Sequence, residues 1–192
     1  MMPGPTLLAF DTSAAHCAAA LLSDGRIRDA RVEEMARGQA ERLMDLCREV
    51  LDAAGLDWQA LDGIGVGVGP GNFTGIRISV AAARGLALGL GVPAIGVSRL
   101  EAQALDAPRP CRAAIEAPRG AAYVQDFPGG APSLVPARPE GALPPLDARE
   151  EIARIARIAA DRLGTDQPRP APVYVRAADA APASDPPPVL LP

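Results

Sequence analysis

The sequence contains no lysine: all 19 basic residues are arginine, set against 23 acidic ones. That absence removes the phosphate-binding lysine of a Walker loop and the amine of a Schiff-base enzyme. There is a single histidine, His16, so a histidine-rich metal centre is excluded, and a histidine-based triad would have to use that residue as its base. Aromatic residues make up only 3% of the chain, which leaves Ala, Leu, Val and Ile to build the core. The three cysteines (Cys17, Cys47, Cys111) are widely spaced in apolar segments with no C-x-x-C pair. They read as buried thiols in a reducing compartment, not as zinc or disulfide chemistry. A net charge of −4 offers no basic field to displace counterions from a nucleic acid. No basic leader precedes Leu7–Phe10, and no uninterrupted apolar run approaches the ~20 residues of a membrane span. A cytoplasmic protein with no membrane partner is the expectation.

What is present is an ordinary globular composition. The chain has 192 residues, 48% of them apolar and 22% charged, enough for one domain or two small ones. Thr6–Asp11 reads as a buried strand ending on a carboxylate. Cys17–Leu22 is a second strand, closed by a Ser23-Asp24-Gly25 turn, and Ile27, Ala30 and Val32 mark a third. Residues 36–54 form an amphipathic helix that stops at Gly55. Ala36, Ala40, Leu43, Met44, Leu46, Cys47, Val50, Leu51 and Ala54 share one side, an arc of roughly 160°, wider than the ~100° stripe a surface helix needs. Ile64–Val68 is a strand rich in glycine. It leads through Gly69-Pro70-Gly71-Asn72-Phe73-Thr74-Gly75 into a helix of small apolar residues from about Ile76 to Leu90. Pro93–Val97 is a further strand, and Ser98 with Glu101 forms a capping box for a short helix.

Three hairpin-linked strands followed by alternating helix and strand is the order of a ribonuclease-H-like domain, the unit duplicated in actin-like ATPases. The fold expected is therefore α/β, with a ribonuclease-H-like first domain over residues 1–106. A shortened second domain of the same type spans 107–176, and a Pro/Ala-rich tail covers 177–192. In the second half, Arg112–Ala117 and Ala121–Phe127 form a hairpin. Asp147 and Glu150 cap a helix, Val173–Val175 is a short strand, and 14 of the 21 prolines lie at or after Pro128.

The residues offer little chemistry. Asp11, Thr12 and Ser13 stand where a strand-to-turn hairpin cradles phosphate in actin-like folds, or they satisfy backbone groups in a turn. The Gly69–Gly75 loop precedes a helix N-terminus, where amides favour anions. It matches no G-x-G-x-x-G register, however, and its glycines suit close packing equally well. His16 beside Asp11 has no placed nucleophile. The Asn72-Phe73-Thr74 sequon has no meaning in a cytoplasmic chain. Glu116, Arg119 and Tyr123 have no convergent partner.

The blocks Leu8-Ala9-Phe10-Asp11-Thr12-Ser13, Gly67-Val68-Gly69-Pro70-Gly71-Asn72-Phe73-Thr74-Gly75-Ile76-Arg77-Ile78, Ala83–Gly89 and Ile95–Ser98 resemble the TsaB (YeaZ) family. Glu116–Gly120 with Tyr123, and Pro172–Arg176, resemble its later motifs. The resemblance implies a non-catalytic, cofactor-free, actin-like subunit of the machinery that makes threonylcarbamoyladenosine in tRNA. In that system TsaD carries the metal and the transferase activity, TsaE joins the complex, and tRNA is met only through it. It also implies a helical interface for TsaD, or for a second copy in a homodimer. Here that interface would comprise Ala40, Leu43, Met44, Cys47, Val50 and Leu51 on one helix and Arg77, Ala81, Arg84, Gly85 and Leu88 on the next. Metal-binding relatives carry two histidines four residues apart on the first of these helices; Arg37–Leu43 has none, and Gln39 stands where many TsaB proteins keep one. The competing expectation is a stand-alone ATPase or phosphotransferase using Asp11 and the Gly69–Gly75 loop.

Overall fold

The computed structural model describes residues 4–175. Five strands form the main sheet: β1 (Thr6–Asp11), β2 (His16–Ser23), β3 (Arg26–Glu34), β4 (Gly63–Gly67) and β5 (Ala94–Val97). Their order is β3-β2-β1-β4-β5, with β1–β2 and β2–β3 antiparallel and β1–β4 and β4–β5 parallel. The expected ribonuclease-H-like sequence of hairpins and crossovers is thus present. The central strands carry apolar side chains on both faces, as a sheet covered on both sides requires. Leu8 and Phe10 of β1 point to a layer formed by α1 (Gln39–Ala53) and α2 (Phe73–Leu90), while Leu7 and Ala9 point to the opposite layer.

That opposite layer is α4 (Ala148–Arg162), preceded in the chain by α3 (Arg99–Ala104). Ile152, Ile155, Ala156 and Ala159 of α4 pack on Ala18, Ala20, Leu22 and Ile95 of the main sheet. A domain boundary at residue 106 therefore separates α4 from the sheet it covers. The second half contributes a three-stranded antiparallel sheet of β6 (Cys111–Glu116), β7 (Ala122–Phe127) and β8 (Ser133–Val135), in that order. Leu100 and Ala104 of α3 pack against it.

Several boundaries differ from expectation for local reasons. α1 starts three residues late, at Gln39, because Gly38 sits at φ 91°, outside helical space. α2 starts three residues early, at Phe73, because the Asn72 side chain accepts from the Gly75 amide at 2.8 Å and caps it. Residues 173–175 join no ladder. Val173 donates one backbone bond to Val68 at 2.8 Å and nothing extends it. The tail expected over 177–192 lies outside the described residues.

Candidate functional site

Two features of the first sheet carry functional weight: a buried polar node at the end of β1, and the outer face of α2.

The node is built where β1 and β2 part. Asp11 is 1% exposed, and its Oδ2 accepts from the Ser13 amide at 3.1 Å, the Ser13 hydroxyl at 2.9 Å and His16 Nε2 at 2.9 Å. Its Oδ1 is buried without a hydrogen-bond partner among the described residues. Gly67 faces that oxygen so closely that a Cβ there would lie 2.0 Å from it; only glycine leaves room for the carboxylate. Burial pushes the Asp11 carboxyl up, but the His16 bond, the Arg99 charge and the Ser13 hydroxyl outweigh it. The net direction is below the ordinary carboxylate value.

From the other side of the sheet, Glu151 on α4 receives Arg99 Nε at 2.7 Å and a second guanidinium nitrogen at 3.1 Å. Burial raises the Glu151 carboxyl despite that partner, and the neighbouring Asp11 charge adds to the rise. Asp11, His16 and Glu151 bring one donor atom each within 4.8 Å of one another. A cation there would have to compete with Arg99, which already spans both Glu151 oxygens. The arrangement fits an internal ion network better than a metal cradle.

Thr12 and Ser13, the candidate phosphate contacts, are both fully buried. The Thr12 hydroxyl donates to the Gly75 carbonyl at 2.7 Å, and the Asn72 amide donates to the Ser13 carbonyl at 2.6 Å. A Cβ at Gly75 would lie 1.9 Å from the Thr12 carbonyl oxygen, and one at Gly71 2.2 Å from that of Ser13. The glycines of the Gly69–Gly75 loop thus let the α2 N-terminus close onto the hairpin. Of this loop Gly69 and Pro70 are buried, Gly71 and Gly75 are packed on the hairpin, and Asn72, Phe73 and Thr74 face outward.

The candidate interface residues divide. On α1, Leu43, Cys47, Val50 and Leu51 are 0–1% exposed and lie in the protein's own core. α1 spends its wide apolar arc on the sheet and on α2, so these four side chains are not available to a partner; Ala40 and Met44 are exposed. Burial also pushes the Cys17 thiol up to about 12 and raises that of Cys47 further. On α2 all five, Arg77, Ala81, Arg84, Gly85 and Leu88, are exposed. At 100° per residue they fall in a stripe about 100° wide. Ile76, Ser79, Val80 and Ala83 occupy the opposite, buried side. Leu88 is 86% exposed and Phe73 49%. α2 is long and apolar enough to cross a membrane by length and composition alone, yet its inner side is packed on this sheet. No local pattern signals that Arg77 lies 3.7 Å from the Phe73 ring centre and donates to the Tyr174 hydroxyl at 2.8 Å. That cluster ties the segment after α4 to the start of α2.

Comparisons with known proteins agree with this architecture. A family model described as TsaD, tRNA N6-adenosine threonylcarbamoyltransferase, matches residues 32–128. A structure described as YeaZ from Pseudomonas aeruginosa is 29% identical and superimposes with a TM-score of 0.69, covering 89% of this chain and all of that one. A second, described as an uncharacterized protein with similarity to peptidase YeaZ from Pseudomonas aeruginosa, is 30% identical with a TM-score of 0.69. It covers 90% of this chain and all of the other. No curated protein matches the sequence. The fold is that of an actin-like, ribonuclease-H-like protein related to the threonylcarbamoyltransferases. Within that class the chain belongs to the YeaZ (TsaB) family. Gln39 turns back to donate to the Met35 carbonyl at 3.1 Å.

Proposed function

We propose that this chain is a non-catalytic subunit of the threonylcarbamoyladenosine-forming assembly, acting in the cytoplasm by binding the TsaD paralogue through the outer face of α2. The observation that carries the reading is the exposed stripe on that helix, where Ala81, Gly85 and Leu88, the last at 86% exposure, are flanked by Arg77 and Arg84. Burying one such leucine against a partner contributes roughly 1.5–3 kcal/mol, and Gly85 lets a second helix approach closely. Two further observations support it. Thr12 and Ser13 are consumed by packing, which argues against the rival ATPase or phosphotransferase reading. Family membership places the chain among proteins of this modification pathway. TsaE joins the pair, tRNA is met only through the assembly, and in the absence of TsaD the same stripe serves a homodimer.

Size-exclusion chromatography with light scattering, on the chain alone and mixed with the TsaD paralogue of the same organism, tests this. A heteromeric peak is expected, and Leu88→Asp or Gly85→Arg abolishes it while the variant remains folded. If both variants bind TsaD as the parent does, α2 is not the interface. Turnover of ATP by the isolated chain would favour the rival.

A further inference from the structure

A groove of about 630 Å³ opens between the C-terminal half of α2, the outer edge of β5 and the segment that follows α4. Its walls include Leu88, Val92 and Ile95, and three arginines reach it from separate elements: Arg84 from α2, Arg162 from the end of α4, and Arg169 beyond it. Asp166 is the one acidic residue on the lining. Arg162 is held in place by Glu101 and by the Gly96 carbonyl at 3.3 Å. Arg84 and Arg169 are exposed and have no acidic partner among the described residues. In a chain of net charge −4, half of the described arginines pair with a carboxylate, as Arg42 does with Glu33 and Glu49. In this groove two guanidiniums without a carboxylate partner among the described residues stand beside a third, anchored one, over an apolar wall.

Volume, apolar lining and a few convergent polar groups are the marks of a small-molecule site. Guanidinium forks favour carboxylate or phosphate, bound in pairs of parallel bonds. We propose that this groove binds a small organic anion whose apolar body lies on Leu88, Val92 and Ile95 and whose carboxylate or phosphate is held by Arg84 and Arg169. Arg162, fixed by Glu101, adds a preorganised charge. The groove shares Arg84 and Leu88 with the α2 face proposed above to bind TsaD or a second copy, so the anion and a partner on that face compete.

The test titrates 1-naphthyl phosphate into the full chain by calorimetry at 0.15 M salt, where distant charges are screened. 1-Naphthol and inorganic phosphate are the half-ligand controls. Saturable one-to-one binding is expected, with each control at least tenfold weaker. Arg84→Ala and Arg169→Ala should each weaken binding about tenfold, because each removes a charge-assisted contact. Arg112→Ala, on the second sheet, should leave it unchanged. Because Arg169 lies off α2, its effect separates the groove from the helix face. No saturation at millimolar probe overturns the proposal, as does binding of 1-naphthol equal to that of the phosphate, or an Arg84→Ala/Arg169→Ala double variant that binds normally. Circular dichroism on each variant keeps a folding defect from being read as lost binding.

Discussion

α1 and α2 lie side by side on one face of the same sheet, yet they use their side chains in opposite ways. α1 is complete. Apart from Ala40, Met44 and Ala53 its apolar residues are in the core, and four of its six charged residues are paired, Arg42 with Glu49 (and with Glu33 of β3) and Arg48 with Asp52. α2 has no acidic residue at all, buries Ile76, Val80 and Ala83, and leaves a second apolar side open to solvent. A helix whose polar half is largely paired off has little left to offer a neighbour. One with two apolar sides and only one of them covered does. Width of the apolar arc alone does not separate these cases. What matters is whether the fold supplies enough neighbours to use it.

The largest difference should come from the core of α1. Leu46→Ala, at a position with no exposure, is expected to cost about 2–5 kcal/mol in chemical denaturation through the cavity it leaves. Leu43→Asp, placed in the same core, should unfold the protein, so loss of partner binding in that variant says nothing about an interface.

The polar node comes next. Asp11→Asn is expected to cost about 1–3 kcal/mol by weakening three charge-assisted bonds to a buried oxygen. Because the folded Asp11 carboxyl lies below its ordinary value of 3.8, its stabilisation is present above that pH and is lost as the pH falls through the folded value. Stability measured below pH 4 should therefore fall less steeply in Asp11→Asn. Glu151 has the opposite sign. Its value is raised above 4.5, so its contribution is complete below that pH and declines as the pH rises through the folded value.

Smaller still is the surface of α1. Arg42→Ala should cost under about 1 kcal/mol, since its partners are partly solvated. The smallest stability effect belongs to α2, where Leu88→Asp should shift unfolding by no more than about 0.5 kcal/mol. If Leu88→Asp proved as destabilising as Leu46→Ala, the contrast between the two helices would collapse.

Much of the fold was readable in the residues. Apolar runs ending at Asp11 and Leu22, the Ser23-Asp24-Gly25 turn, and the N-cap residues Ser98 and Asp147 are local signals of the element order, although Glu101 does not close the expected box with Ser98 but pairs with Arg162. Small residues recurring along α2 signalled a helix not spent wholly on its own core, and its outer side is indeed exposed. What escaped was everything set by distant contacts. Periodicity located Leu43, Cys47, Val50 and Leu51 on one side of α1 but could not report that α2 and the sheet together occupy that side. The closure of Thr12 and Ser13 depends on backbone approach at Gly71 and Gly75, sixty residues away, which no composition reveals. The Arg99–Glu151 pair joins residues 52 positions apart, and neither end looks unusual in its own segment.

The arrangement of α4 bears on how the protein is made. The five strands of the main sheet are all present by residue 97, but the helix that covers their second face begins at Ala148. During synthesis, Leu7, Ala9, Ala18, Ala20 and Ile95 must wait, uncovered, while some fifty further residues emerge from the ribosome. Such an interval is when a chain is most exposed to aggregation and most in need of a chaperone. A premature stop anywhere in the proline-rich stretch between β7 and α4 would yield no smaller working domain, only a sheet with one side permanently unprotected.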